Sequence, residues 1–450
     1  MYIVIDARLY GPLGKGLGRY IERLIENLER IDTENRYSVL LCRENYDLYT
    51  PRNNRWTKVC VPVRWYTIRE QCVIPWVLWR LKPDLVHFPH FNVPLIISSP
   101  SLSRGFLWRR IPFIVTIHDL ILLKHPSTRS SMRSAASYWL KYLGYRIILR
   151  NALRHAKQVI TVSHTVKKEL EVRCQMSGVK CQVTYEACDG VEIGQLKMPD
   201  SGWLTKRGIT QPYFLYVGNA YPHKNLDFLL DWFLRWSQLA TSNWPLASNR
   251  RQEARSKKRE AYQLVLVGTD DYFYKRLKAR CQMLDARSQI LFFGYATESE
   301  LADLYRNATL VIYPSLEEGF GLPPLEAMRY AVPVVVSDLP VLHEILGPAA
   351  TYFNPRDPES LTNAIHPLLP IVIPSQTQTV IPAPEPGSRT DGSRRLQPAT
   401  EVELPNGSST SASHRSEKIS LGLAQVKKYS WRRMAEETLN IYNTHRNSKP

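Results

Sequence analysis

The chain has 450 residues, a length that fits two or three domains at roughly 150 residues each. Hydrophobic residues make up 44% and charged residues 22%, the balance of a globular protein, which excludes overall disorder and a fibrous repeat. The net charge is +18, and most of it sits between Arg52 and Lys157, where 18 Lys and Arg face three acids, Glu70, Asp84 and Asp119. No run of about 18 apolar residues occurs, so no transmembrane helix is expected. The opening MYIVIDARLYG reads as a first strand rather than a signal peptide. The seven cysteines are scattered and form no C-x-x-C pair, which argues against a disulfide framework or a zinc site. A cytoplasmic, multi-domain protein is the expectation.

In chain order, short runs rich in Val, Ile and Tyr predict strands at Tyr2–Ile5, Ser38–Leu41, Leu85–His87, Phe113–Ile117 and Val159–Val162. Amphipathic stretches such as Arg19–Ile31 and Thr165–Val172 separate them. Strand–helix alternation predicts a parallel sheet built from βαβ units. After Pro212 the pattern restarts. Strands are predicted at Tyr213–Val217, Leu264–Val267, Ile290–Phe293, Leu310–Ile312 and Val332–Val336, with helices at Asn225–Trp236, Tyr272–Met283, Ser299–Arg306 and Pro324–Tyr330. Two successive α/β domains follow, 1–205 and 206–366. Ser242–Arg259 is polar and basic and reads as a surface insertion, and 367–420 has the composition of a disordered one. Leu423–Tyr442 regains helical spacing, and a helix beyond such an insertion must dock on something already folded.

The basic segment interleaves charge with aromatic and aliphatic residues, as in Trp76-Val77-Leu78-Trp79-Arg80 and Tyr138–Leu143, and Arg146, Arg150 and Arg154 share one helical stripe. That composition fits an anionic membrane surface and also single-stranded nucleic acid. A solvated basic face with no partner is the plain alternative.

The strongest chemical signal is Glu317-Glu318-Gly319-Phe320-Gly321-Leu322-Pro323-Pro324-Leu325-Glu326. It follows a strand and opens a helix at Pro323 or Pro324, where proline's missing N–H costs nothing. A glycine-rich lead into a helix N-terminus suits a phosphate. Glu326, just inside the helix, is suited to a vicinal diol such as that of ribose. The spacing of Glu318 and Glu326 resembles the Glu-x7-Glu motif of retaining glycosyltransferases with the GT-B fold, and the stretch resembles glycosyltransferase family 4, bacterial polysaccharide mannosyltransferases in particular. The resemblance covers nearly the whole chain except the two polar insertions. It implies two Rossmann-like domains facing across a cleft, the first binding the acceptor and the second the nucleotide-sugar donor, with the 423–445 helix crossing back to the first domain.

By that resemblance, the loop Gly14–Tyr20 faces the donor diphosphate with Gly16 nearest, and Lys15 or Arg19 adds charge or is a surface cation. His118 contacts the donor sugar near the reacting centre, or is a core or capping histidine. His87 and His90 line the acceptor side or pack. Lys224 clamps the diphosphate, while Asn219 stands near the place of an expected arginine, for which His223 or a cation of the first domain is the substitute. Tyr295 stacks on the nucleobase or packs. Gly319, Phe320, Gly321 and Leu322 receive the diphosphate, Glu318 orients sugar hydroxyls, and Glu326 holds the ribose. Asp270-Asp271 is not an Asp-x-Asp, and neither a metal nor a cofactor is expected. The implied reaction moves a hexose, mannose favoured, from a GDP- or UDP-linked sugar to a sugar or lipid-linked acceptor. The implied place is the cytoplasm, peripheral at the inner face of the plasma membrane, with no nucleic acid partner. A nucleotide-sugar 2-epimerase and a basic nucleic-acid-binding protein with a vestigial sugar site are the rival readings.

Overall fold

The computed structural model describes residues 1–98, 111–124, 135–173, 180–188, 202–210, 212–238, 262–283, 289–369 and 408–446. The predicted insertion at 242–259 lies outside them. Seven parallel strands form the first sheet: β1 (Tyr2–Asp6), β2 (Arg36–Leu41), β3 (Trp56–Cys60), β4 (Leu85–Phe88), β5 (Phe113–Ile117), β6 (Gln158–Thr161) and β7 (Cys181–Val183), in the order β3-β2-β1-β4-β5-β6-β7. Six parallel strands form the second: β8 (Tyr213–Val217), β9 (Gln263–Val267), β10 (Ile290–Gly294), β11 (Leu310–Tyr313), β12 (Val334–Ser337) and β13 (Thr351–Phe353), in the order β10-β9-β8-β11-β12-β13. The central strands are buried throughout, as expected when helices cover both faces of a parallel sheet.

The helices used below are α1 (Lys15–Ile31), α2 (Ala135–His155), α3 (His164–Arg173), α4 (Tyr272–Met283), α5 (Glu298–Asn307), α6 (Leu322–Arg329), α7 (Pro340–Leu346), α8 (Ser408–Val426) and α9 (Trp431–Arg446). Strand order reverses between β1 and β4 in the first sheet and between β8 and β11 in the second. Ligands of open α/β sheets bind beyond the carboxyl ends of the strands at such reversals. The loops after β1, β4, β8 and β11 are therefore the ones positioned for function.

Two boundaries differ from the sequence expectation. The division at 205/206 cuts a short helix, Trp203–Lys206, that packs on the second half: Trp203 Nε1 donates to Asp303, and Arg207 pairs with Glu300 at 3.0 Å. The expected 367–420 insertion yields its last part to α8, which begins at Ser408. Composition misjudged this helix because its anchors are polar. Arg415 donates to the carbonyls of Thr309 (2.8 Å) and Leu368 (3.0 Å), and Lys418 to those of Pro348 (2.7 Å) and Ala350 (3.1 Å). Residues 371–407 lie outside the described residues.

The chain then turns at 427–430 and α9 crosses to the first half, as expected. There it packs on α1, setting Trp431 edge-on to Tyr20 and the Tyr442 hydroxyl 2.6 Å from His87 Nδ1. His87 Nε2 lies 2.8 Å from Thr116 Oγ1, so His87 packs in the core and is absent from the acceptor side. Burial pushes its imidazole down to about 3.

Candidate functional site

A cleft of about 1240 Å³ runs between the halves. Its lining contains Gly16, His118, Lys224, Tyr295, Glu318, Gly319, Phe320, Gly321, Leu322 and Glu326, the residues expected at the donor site. Gly16 follows β1, His118 follows β5, Lys224 follows β8, and Glu318 follows β11, so strand ends from both sheets supply the walls.

The Gly319–Leu322 turn is pressed against the first half. A Cβ on Gly319 would fall 2.0 Å from the His118 carbonyl oxygen, so any other residue forces the halves apart. Ser163 Oγ donates to the Gly319 carbonyl at 2.9 Å. A Cβ on Gly16, by contrast, would meet nothing within 4 Å, which leaves the backbone there open to a close-lying ligand. Phe320 is 4% exposed and its ring packs between Tyr185 and Tyr429, so what it can offer a phosphate is its backbone N–H, the group expected to serve there. The helix α6 begins at Leu322, slightly earlier than expected. Pro323 and Pro324 bring no N–H to its first turn, so the free donors at this end are those of the Gly319–Leu322 segment.

Two carboxylates flank that segment, each already held by a cation. Lys224 Nζ donates to Glu318 Oε1 at 2.6 Å and lies 3.0 Å from the Tyr313 hydroxyl. Burial alone would raise the Glu318 carboxyl, but Lys224, helped by Ser315 and His223, outweighs it and holds the group below the ordinary range. Lys224 is raised in turn, because burial opposes its charge but Glu318, with Tyr216 and Asp119, outweighs it. Across the cleft, Arg19 on α1 pairs with Glu326 Oε1, and the Tyr305 hydroxyl donates to Glu326 Oε2 at 3.1 Å. Neither Arg19's partner nor Tyr305 was legible in sequence, since α1 and α5 lie far from Glu326 along the chain.

His118 Nδ1 is 2.8 Å from Glu186 Oε1, and its Nε2 is 3.0 Å from the Pro89 carbonyl. Glu186 and the Pro89 carbonyl thus hold the ring from both of its nitrogens. Glu186, which carries no motif, was not singled out. Tyr295 is 69% exposed at the rim of the second half, free to offer a ring face. Asn219 also lines the cleft, and its carbonyl and side chain are used within its own loop by the Tyr216 hydroxyl and the Tyr221 N–H. Asp271 accepts from the N–H groups of Phe273 and Tyr274 and so caps α4.

The halves are tied beside the cleft as well. Lys124 pairs with Glu169 on its own half and with Glu317 (2.8 Å) on the other. Glu344 on α7 accepts from the N–H groups of His164 (2.6 Å) and Thr165 (2.8 Å), from Thr165 Oγ1 (2.7 Å) and from the Tyr185 hydroxyl (3.0 Å). A carboxylate there also sits favourably at the positive end of α3.

Residues 14–189 match Glycosyltransferase Family 4, and residues 205–370 match Glycosyl transferases group 1. The O-antigen chain mannosyltransferase RfbU of Salmonella typhimurium is 27% identical over 305 residues, covering 68% of this chain and 70% of that one. The O-antigen chain mannosyltransferase B of Escherichia coli is 25% identical over 372 residues, covering 82% and 76%. Among solved structures, the sucrose-phosphate synthase of Thermosynechococcus elongatus superposes with a TM-score of 0.66 at 16% identity, covering 100% of this chain and 99% of that one; it shares the fold.

Proposed function

As the chain belongs to the two-domain glycosyltransferases of family 4 and group 1, we propose that it moves a hexose, mannose, from a nucleotide diphosphate sugar to an acceptor hydroxyl in polysaccharide synthesis. The observation that carries the reading is the pair Glu318 and Glu326 on either side of a phosphate-sized backbone turn, with Lys224 beside it. The similarity to two O-antigen mannosyltransferases supports mannose, with GDP-mannose as the donor to test first.

In this reading, the ribose diol hydrogen-bonds to Glu326 and the base lies near Tyr295. The diphosphate rests on the N–H groups of Gly319–Leu322 beside Lys224. Charge that develops on the leaving diphosphate is met by preorganised donors, which is the main source of such catalysis. The sugar reaches toward His118 and Glu318. The acceptor oxygen bonds to the anomeric carbon as that carbon's bond to the diphosphate oxygen breaks. The electron pair leaves with the nucleoside diphosphate, and the acceptor's proton passes to the departing phosphate. Transfer proceeds with retention, so acceptor and leaving group share one face of the sugar.

The acceptor side faces an anionic membrane. On α2, Trp139, Leu140, Leu143 and Ile147 are each half or more exposed, and Arg146, Arg150 and Arg154 are exposed beside them. A groove of about 640 Å³ next to them is lined by Leu123, Tyr142, Ile147, Arg146, Arg150 and Arg173. Arginine over apolar side chains suits lipid phosphates above acyl chains. No described helix is long and apolar enough to cross a membrane.

The experiment is a screen of GDP- and UDP-linked sugars by thermal shift, followed by mass spectrometry of transfer to candidate acceptors. Stabilisation by GDP-mannose and release of GDP with a mannosylated product are expected. An epimerised nucleotide sugar from donor alone, or no response to any nucleotide sugar, overturns the reading.

A further inference from the structure

The cleft is short of positive charge for the ligand assigned to it. Its lining holds three Lys and Arg, namely Lys15, Arg19 and Lys224, against seven carboxylates. Lys224 is paired with Glu318, and Lys15 Nζ sits 5.3 Å from the centre of the Tyr221 ring. Asn219 supplies no cation where the family resemblance leads one to expect an arginine. A diphosphate entering this field therefore depends on whatever charge Arg19 brings.

Arg19 has the geometry to bring it. It lies near the start of α1, close to Gly16, and its side chain reaches the far wall of the cleft to pair with Glu326. The pair is lopsided. Glu326 uses both oxygens, one for Arg19 and one for the Tyr305 hydroxyl, whereas the buried Nε of Arg19 has no acceptor among the described residues. Guanidinium is a fork suited to two oxygens at once, a geometry that phosphate offers. Arg19 thus holds the carboxylate assigned to ribose and has a donor to spare.

We propose that Arg19 is the second diphosphate cation of this enzyme and that it is stored on Glu326 until the donor's ribose displaces it. The proposal rests on the glycosyltransferase reading above. Ribose hydroxyls take the Glu326 oxygens; the guanidinium is released within the cleft and turns to the phosphates. No covalent bond changes. Binding of the phosphates then becomes conditional on a ribose being in place, so pyrophosphate alone is a poor ligand and a nucleoside diphosphate binds more tightly than its two parts suggest.

The test is titration calorimetry with guanosine, GDP and pyrophosphate on the wild type, Arg19→Gln, Arg19→Lys and Glu326→Gln. If the wild type binds UDP instead, uridine and UDP replace the guanine pair. Arg19→Gln should weaken GDP by about tenfold or more, the effect of one charged hydrogen-bond partner. It should leave guanosine as tight as in the wild type or tighter, since Glu326 is then free. Arg19→Lys keeps the charge and should recover part of the loss, and it serves as the folded control. Glu326→Gln should improve pyrophosphate binding by releasing Arg19. Equal weakening of guanosine and GDP by Arg19→Gln would mean that Arg19 is a structural strut, and unchanged GDP binding would mean that it never reaches the phosphates; either result overturns the proposal. A wild type that binds no nucleotide overturns the enzyme reading instead, so the two failures are distinguishable.

Discussion

Replacing Lys224 by methionine removes the charge opposite Glu318 and keeps most of the stem. The side chains of Lys224 and Glu318 are 11% and 8% exposed, with Nζ and Oε1 2.6 Å apart. Deleting one member of a buried pair costs about 3–5 kcal/mol, because the other is left charged in a poor solvent. The site opens onto the cleft, so we expect the lower end, about 3 kcal/mol. The effect should depend on pH in a particular sense. In the wild type, Lys224 holds the Glu318 carboxyl below its ordinary range against the opposing effect of burial. The pair's contribution is therefore present above the ordinary carboxyl pKa of 4.5 and lost as pH falls through the lowered one. In Lys224→Met, burial faces only the weaker opposition of Ser315 and His223, and we expect it to lift the carboxyl above its unfolded value. That penalty is absent in acid and grows as pH rises. Calorimetric or urea unfolding at pH about 5, 6.5 and 8 should show the gap between wild type and variant widening with pH. Adding Glu318→Gln should recover about 2 kcal/mol of the loss at pH about 8. A gap that stays constant across pH, or a double variant no more stable than Lys224→Met, would refute the pairing.

Glu344→Ala removes four hydrogen bonds between the halves and should loosen their junction by about 1.5–3 kcal/mol, measured as faster amide exchange at the start of α3. His87 is pushed down to about 3 by burial, so the folded state refuses a proton that the unfolded chain takes near 6.5. Its contribution is complete above that value and falls by about 1.4 kcal/mol per pH unit below it. Unfolding at pH about 7 and 5 should show wild type losing about 2 kcal/mol more than His87→Asn. The wild type should sediment with anionic but not neutral liposomes, less so as salt rises. Reversing Arg146, Arg150 and Arg154 to Glu should abolish that at about 1 kcal/mol per charge removed with GDP affinity unchanged, and a wild type that ignores anionic liposomes at low salt would end the membrane reading.

Much of the architecture was legible because parallel sheets demand continuous apolar strands. Phe113–Ile117, Tyr213–Val217 and Tyr272–Met283 have the predicted ends. The three strands that were missed, β3, β7 and β13, all lie at sheet edges. An edge strand is covered incompletely and needs no unbroken apolar run; Trp56-Thr57-Lys58-Val59-Cys60 is interrupted by Thr57 and Lys58 and was passed over. At the site, Glu318, Gly319 and Glu326 were found because their signal is local. Arg19 with Glu326 and His118 with Glu186 are pairings across large sequence separations, set by how the elements come together. The α8 helix was hidden because lysine and arginine at carbonyl-rich helix ends look like solvent-exposed residues in a composition window.

The return of α9 to the first half sets the order in which the protein can be finished. Tyr442 is fully buried against His87, and Trp431 lies against Tyr20, so residues of α9 fill a seam in the half that is synthesised before them. On the ribosome, domains generally fold as they emerge. Here the first sheet must wait, its seam uncovered, until the chain has been made through Tyr442. A nascent chain is then exposed to holding chaperones and proteases in a part made well before α9, and a stop before Trp431 damages the first half as well as the second. The two halves are also not interchangeable modules: a recombination that swaps the second half must carry a compatible last helix, or it leaves the first half unfinished.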